Sequence, residues 1–368
     1  MLQPDPHIII SGGGTGGHIF PALAIARAIR RRLPEAKILF IGAKGKMEME
    51  KVPEAGFPIK GLWISGLRRD LSLSNLMFPF KVIHSLVKAL FILRNFKADV
   101  AVGVGGYASG PALRAAGILG IPTLIQEQNS FPGITNKILG KKASRICVAF
   151  EGMEKFFPAE KIVITGNPVR KEVIEITGKK DEAVSFFGLS AAKKTLFVVG
   201  GSQGAYSINV CIEGLLPQLR ESNIQLLWQT GRNFEQRAVE ACKKSGFESV
   251  RILSFIQRMD LAYSIADLVI SRAGAIAIAE LAAVKKPVIF IPLPTAAEDH
   301  QMKNARRLEA KNAAIVVPDK EAAEKLPSLM DLINDETRLK SLEQNIGPFA
   351  VANADEKIAD EIIALITK

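Results

Sequence analysis

Residues 7–17, HIIISGGGTGG, and residues 195–205, TLFVVGGSQGA, follow the same plan: an apolar, β-branched run ends in a glycine turn that opens a helix. Around them, short β-branched runs alternate with helical patterns, as parallel α/β units do. The expected strands are HIII, KILFIG, DVAVGV, PTLIQ, RICVAF and KIVITG in the first half. In the second half they are TLFVVGG, IQLLWQTG, VRILSF, DLVISR, PVIFIP and AAIVVP. Runs this uniformly hydrophobic are buried on both faces, as in a doubly wound sheet. At 368 residues the chain is longer than one core usually supports. The restart at residue 195 therefore predicts two Rossmann-like domains in tandem. TGNPVRKEV (165–173) is the expected joint, since Asn-Pro marks a break. Ligands are expected in a cleft at the carboxyl ends of both sheets.

Charge narrows the partners. Lys and Arg number 48 against 37 Asp and Glu, a net +11, which favours nucleic acid, an acidic membrane face or phosphorylated substrates. Three tyrosines, two tryptophans and no RRM-like aromatic motif argue against nucleic acid. Cys147, Cys211 and Cys242 are scattered and odd in number, as in a reduced, cytosolic protein. No signal peptide is expected, because the first apolar run leads into glycines without a basic leader. The charge-free run from Thr195 to Ile212 is broken by GGSQG, so no spanning helix is expected either.

The glycine turns point to phosphate. GGGTGG satisfies G-x-G-x-x-G through Gly12, Gly14 and Gly17, with Pro21 expected to open the helix. A dinucleotide domain would end its second strand with an acid for the ribose, but KILFIGAKGK ends in Gly-Ala-Lys, which weakens an NAD oxidoreductase. His18 replaces the lysine of a P-loop. What remains is a turn of bare amides, Gly13 and Gly14 included, at a helix start. GVGGYASGP (103–111, with Gly105, Gly106 and Tyr107), VGGSQGAYS (199–207, with Ser202 and Gln203) and SRAGAIAIAE (271–280) repeat the plan. Glu280 ends the last of these in an apolar helix. A helical glutamate ordinarily faces solvent, but one among alanines and isoleucines needs donors, and a ribose diol supplies two. In IQEQNSFPGITNK, Gln126, Glu127, Gln128 and Asn129 could hydrogen-bond sugar hydroxyls. His18 could cap its helix or accept a proton.

Residues 66–97 combine apolar side chains with Arg68, Arg69, Lys81, Lys88, Arg94 and Lys97. Ile83, Leu86, Leu90 and Leu93 fit a core stripe. LSLSNLMFPF (71–80), too short to span and flanked by cations, has the character of an interfacial membrane patch.

Taken together, GGTGGHIFPALAIA, GVGGYASGPALRAA, QEQNSFPGITNK, TGNPVR, GGSQGA, SRAGA with its glutamate, and DHQMKNA make the chain resemble the MurG family of peptidoglycan glycosyltransferases nearly end to end. The resemblance implies the GT-B fold: an acceptor and membrane-docking domain over 1–166, a donor domain over 167–340, and a final segment, 341–368, returning to the first domain. It implies an inverting transfer of N-acetylglucosamine from UDP-GlcNAc to the muramyl 4-hydroxyl of an undecaprenyl-diphosphate-linked muramyl-pentapeptide. By position it places Thr15, Gly16, Gly17 and Asn129 near the transferred sugar, and Arg170 and Ser202 near the nucleotide and its diphosphate. Ile256 falls against the uracil, Ala275, Ile276, Ala277, Ile278, Ala279 and Glu280 along the nucleotide, and Gln301 at the GlcNAc hydroxyls. The acceptor's diphosphate is assigned to Gly13, Gly14, Gly105, Gly106 and Tyr107. His18 is the expected base, with Glu127 in reserve. Gln126 departs from the histidine many relatives carry, so no proton transfer is expected there. No cofactor is expected, and without an Asp-x-Asp motif amides and Arg170 are expected to do the work of a metal. The protein is expected at the cytoplasmic face of the membrane, bound peripherally through 71–80 and nearby Lys and Arg. A UDP-GlcNAc 2-epimerase or another GT-B glycolipid glycosyltransferase is the alternative.

Overall fold

A computed structural model describes residues 5–66 and 77–367. The chain divides into two compact units: residues through Val169 together with those from Ala352 onward, and Arg170–Val351.

The first unit is built on a seven-stranded parallel sheet: β1 His7–Ser11, β2 Lys37–Ala43, β3 Ile59–Leu62, β4 Val100–Gly103, β5 Thr123–Glu127, β6 Arg145–Val148 and β7 Ile162–Ile164. The spatial order is β3-β2-β1-β4-β5-β6-β7. The second unit holds β8 Lys194–Val199, β9 Ile224–Gln229, β10 Val250–Leu253, β11 Leu268–Ser271, β12 Val288–Phe290 and β13 Ile315–Val316, in the order β10-β9-β8-β11-β12-β13. Every pairing is parallel. The expected doubly wound α/β architecture is therefore present twice. The unexpected strand is β3, a half-exposed edge whose four residues, Ile-Lys-Gly-Leu, carry too little apolar signal to stand out.

Alternation along each strand divides its side chains between two cores. Ile8 and Ile10 pack with Ile25, Ile29 and Phe40 on one face, while Ile9 packs with Ile41, Ala89 and Leu93 on the other; all three strand isoleucines are fully buried. In the second unit Phe197 joins Tyr263, Ile278 and Leu281, whereas Leu196 and Val198 face Ile208, Ile212 and Trp228.

The helix Ala354–Ile366 completes the first unit. Ile358 and Ile362 enter the core beneath β1, and Arg31 reaches Asp355 at 2.8 Å, Arg32 reaches Asp360 at 2.6 Å and Arg145 reaches Glu361 at 3.1 Å. The returning segment starts at Ala352 rather than 341, because the helix Glu336–Ile346 places Leu339 and Ile346 in the second unit's cores. The first helix runs Gly16–Arg32, with Pro21 inside it rather than opening it.

The helix Phe78–Phe96 buries Ser85, Ala89 and Leu93 against the sheet, and Leu86 and Leu90 pack beside them. Ile83, expected in that stripe, is instead 61% exposed, aligned with Phe80 (65%), Val87 (46%) and Phe91 (64%). Apolar residues surround this helix, so periodicity could not choose its buried face. Residues 71–76, with Arg68 and Arg69, lie outside the described residues; Met77, Phe80 and Lys81 lie within them.

Candidate functional site

In a doubly wound sheet, chain direction reverses where two strands neighbouring in space depart to opposite faces, and their loops part to leave a crevice. The first unit has this point between β1 and β4, and the second between β8 and β11. All four glycine turns singled out in the sequence fall on these two points.

In the first unit, the turn after β1 and the turn after β4 interlock. A Cβ on Gly106 (φ 85°) would sit 2.2 Å from the Gly13 carbonyl oxygen, and one on Gly105 (φ 97°) 2.6 Å from the His18 ring. Ser109 seals the junction with its one hydroxyl proton shared between the carbonyl oxygens of Ser11 (2.7 Å) and Gly105 (2.9 Å). His18 Nδ1 lies 3.1 Å from the Gly13 carbonyl oxygen and 3.2 Å from Thr15 Oγ1. A carbonyl only accepts, so the proton belongs on Nδ1 and Nε2 carries the lone pair. The backbone thus sets the tautomer a general base needs.

Gly14 does not offer its amide to a ligand. Its N–H donates to Glu48 Oε2 at 2.9 Å, while Glu48 Oε1 accepts from Ala43 N–H at 3.0 Å, and Glu48 is fully buried. An internal carboxylate therefore holds the turn, a role nothing near KMEME announced. The amides without an intrahelical partner begin two residues on, with Gly16 and Gly17 in the first turn of the Gly16–Arg32 helix, a geometry suited to an anion.

At the carboxyl end of β5, Gln126, Glu127 and Gln128 make hydrogen bonds within the unit where polar contacts to sugar were expected. Gln126 and Gln128 are buried; Gln126 donates to Asn167 Oδ1 (3.1 Å), and Gln128 donates to Gln126 and to the Val104 carbonyl (2.7 Å). Glu127, 2% exposed, accepts from the Asn129 N–H (3.0 Å), from Asn129 Nδ2 (3.2 Å) and from Asn136 Nδ2 (2.8 Å). Burial pushes its carboxyl above the usual range, against the pull of those hydrogen bonds. Its oxygens are committed to the loop. Asn129 is half-buried and Tyr107 half-exposed, lying over Gly66.

The second unit repeats the device. A Cβ on Gly204 (φ 75°) would meet the Thr230 carbonyl oxygen at 2.0 Å, and one on Gly231 (φ 77°) the Gln203 carbonyl oxygen at 2.2 Å, so the turns after β8 and β9 are locked together. Ser202 is exposed at the turn's tip. Buried Gln229 donates to the Gly201 carbonyl (2.9 Å) and accepts from the Ile256 N–H (2.9 Å), tying the turn to the segment expected against a base. Ile256 is 2% exposed, its N–H already used.

The turn after β11 leads into the helix Ala275–Ala283. Arg272 anchors it by donating to Asp319, Ser207 Oγ (2.7 Å) and the Ile291 carbonyl (3.0 Å). Along the helix Ile276, Ala277 and Ala279 are half-buried, Ala275 is buried, and Ile278 points into the core. Glu280 is 9% exposed and accepts the Tyr263 hydroxyl at 3.0 Å. Burial raises its carboxyl above the ordinary range; the Arg170 guanidinium and that hydroxyl oppose the rise. Gln301 Oε1 accepts from the Leu293 N–H at 3.0 Å, turning its amide nitrogen the other way. Sequence reasoning missed Tyr263, Glu48 and Gln229, since each acts through a residue distant in the chain.

The glycosyltransferase family 28 N-terminal domain matches residues 8–148 and the corresponding C-terminal domain residues 195–361. The UDP-N-acetylglucosamine--N-acetylmuramyl-(pentapeptide) pyrophosphoryl-undecaprenol N-acetylglucosamine transferase of Flavobacterium psychrophilum is 52% identical over 97% of each chain. The enzyme of the same name from Cytophaga hutchinsonii is 52% identical over 100% of this chain and 99% of its own. Among solved structures, Acinetobacter baumannii MurG superposes with a TM-score of 0.79 at 30% identity, covering 97% of this chain and 99% of its own. A Neisseria meningitidis UDP-GlcNAc 2-epimerase shares the fold alone, at 14% identity and a TM-score of 0.66. The two family domains span the two switch points, and the identity to named transferases runs the length of both sheets: the protein belongs to glycosyltransferase family 28, in its MurG branch.

Proposed function

We propose that the protein transfers N-acetylglucosamine from UDP-GlcNAc to the 4-hydroxyl of an undecaprenyl-diphosphate-linked N-acetylmuramyl-pentapeptide, inverting C1. The observation that carries this is the 52% identity, over nearly all of both chains, to an enzyme named for N-acetylglucosamine transfer between UDP-N-acetylglucosamine and an N-acetylmuramyl-(pentapeptide) pyrophosphoryl-undecaprenol. The donor belongs to the second unit. Glu280 accepts from the ribose diol, Arg170 and Ser202 meet the diphosphate with the first-turn amides of the helix Tyr206–Glu221, and Gln301 Nε2 meets the GlcNAc hydroxyls. Ile256 contributes shape to the uracil site, its N–H being held by Gln229, and Ala275, Ile276, Ala277 and Ala279 line the nucleotide.

The acceptor belongs to the first unit. Thr15, Gly16 and Gly17 present amides to it, and Gly13, Gly105, Gly106 and Tyr107 shape the turn around its diphosphate. His18 Nε2 takes the proton of the muramyl hydroxyl as that oxygen attacks C1 and the bond to UDP breaks. Charge growing on the departing diphosphate is met by donors already in place. Glu127, saturated with hydrogen bonds, holds the loop bearing Asn129.

Among the described residues no helix is long and apolar enough to cross a membrane. The row Phe80, Ile83, Val87 and Phe91, on a helix carrying Lys81, Lys88 and Arg94 and no carboxylate, suits docking to an anionic surface on the cytoplasmic side, where the lipid-linked acceptor would be met. Incubation with labelled UDP-GlcNAc and the lipid-diphosphate acceptor should give labelled lipid and free UDP in equal amounts. Release of UDP without labelled lipid, or epimerisation of the donor at C2, would overturn the assignment.

A further inference from the structure

Behind the ribose-facing carboxylate stands a phenol that the family match does not explain. Tyr263, on the helix Met259–Ile265, is 2% exposed and edge-on to Phe197, with ring centroids 5.9 Å apart. Its hydroxyl donates to Glu280 Oε2 at 3.0 Å. Glu280 is not sealed: 9% of it is exposed, and Oε1 makes no hydrogen bond among the described residues. We propose that Tyr263 is a positioning residue for ribose recognition: its phenol pins one oxygen of Glu280 inside the unit so that the other faces outward for the sugar's vicinal hydroxyls. This rests on Glu280 being the ribose acceptor.

The chemistry favours a phenol here. An ionised carboxylate only accepts, and a buried one without a donor pays its full desolvation cost. Tyrosine supplies a single donor on a rigid ring whose other contacts are apolar, so it fixes the carboxylate without adding a positive charge that would compete for it. Against the burial that raises the carboxyl, the Arg170 guanidinium and then this hydrogen bond favour the ionised form, which can accept from both hydroxyls of a diol.

The test compares UDP with 2′-deoxy-UDP by isothermal titration in wild type, Tyr263→Phe, Glu280→Gln and the double variant. Tyr263→Phe removes one oxygen and leaves the ring. We expect it to weaken UDP about five- to tenfold, less than the loss of one hydrogen bond to a charged group because the carboxylate itself remains, and to shrink the preference for UDP over 2′-deoxy-UDP by a similar factor. Glu280→Gln should shrink that preference further, and adding Tyr263→Phe to it should do little more, since both act through one contact. The preference is a ratio of affinities within each variant, so it does not depend on the fraction of protein folded. An unchanged ratio in Tyr263→Phe beside a collapsed one in Glu280→Gln would make Tyr263 core filling only and sink the proposal. An unchanged ratio in Glu280→Gln would remove the ribose assignment itself.

Discussion

Replacing Phe80 and Phe91 by serine should detach the protein from anionic membranes without touching its chemistry. The two rings are 65% and 64% exposed on a helix with three cations and no carboxylate. A phenylalanine presents about 200 Å². Two thirds of that area, at about 25 cal/mol per Å², amounts to about 3 kcal/mol per ring for full insertion. An interfacial helix sinks only partway, so about half is realised, and the double variant should lose about 3 kcal/mol, on the order of 150-fold in vesicle partitioning. The cations add an attraction of about 1 kcal/mol each that salt screens. Lys88 contributes least, because its ammonium is turned inward to donate to the Gly61 carbonyl at 2.8 Å. Co-sedimentation with phosphatidylglycerol vesicles reads both parts: wild type should pellet at low salt and release at high salt, and the double variant should stay in solution throughout. Both side chains are exposed, so melting temperature and activity on a short-chain soluble acceptor should survive. Equal pelleting of variant and wild type at low salt would refute the docking face.

Glu280→Gln should weaken UDP by about 1.5–3 kcal/mol, read by titration, yet melt no lower than wild type at neutral pH. The sign follows from burial: a carboxyl raised above its unfolded value binds more protons folded than unfolded between the two values, so stability falls as pH rises through that window, and the glutamine escapes this loss. Gly204→Ala places a methyl 2.0 Å from the Thr230 carbonyl oxygen and should lower UDP affinity, whereas Gly106→Ala, 2.2 Å from the Gly13 oxygen, should spare UDP affinity and raise the acceptor KM. Each should cost about 1–3 kcal/mol of stability, by denaturant titration. His18→Ala should cut kcat about 100-fold or more, leave UDP affinity unchanged and remove the acidic limb of the rate profile, because a base works only when deprotonated. Loss of UDP affinity alone would make His18 a strut of the turn.

The sequence by itself determined the elements and the chemistry available to them. Three isoleucines in a row read as a strand covered on both faces, and a glycine cluster between strand and helix reads as a turn, so the doubly wound class and four glycine turns were legible at once. Only the structure shows Gly14, Gly106 and Gly201 at φ near +85° while Gly274, in the fourth turn, stays at φ −67°. Glu280 was legible too, because a carboxylate on an apolar helix needs a donor. Tertiary structure decided which parts meet. Strand order sets β1 beside β4 and β8 beside β11, bringing turns about ninety and seventy residues apart into contact; no local pattern encodes that adjacency. It also assigned the polar groups their partners: Gly14 to Glu48, Gln126 to Asn167, Glu280 to Tyr263. It chose the buried face of the Phe78–Phe96 helix as well, leaving Ile83 outside. A buried polar atom must find a partner wherever the fold puts one, and in a parallel sheet every neighbour is reached by a crossover, so those partners are remote in sequence and visible only once the sheet is assembled.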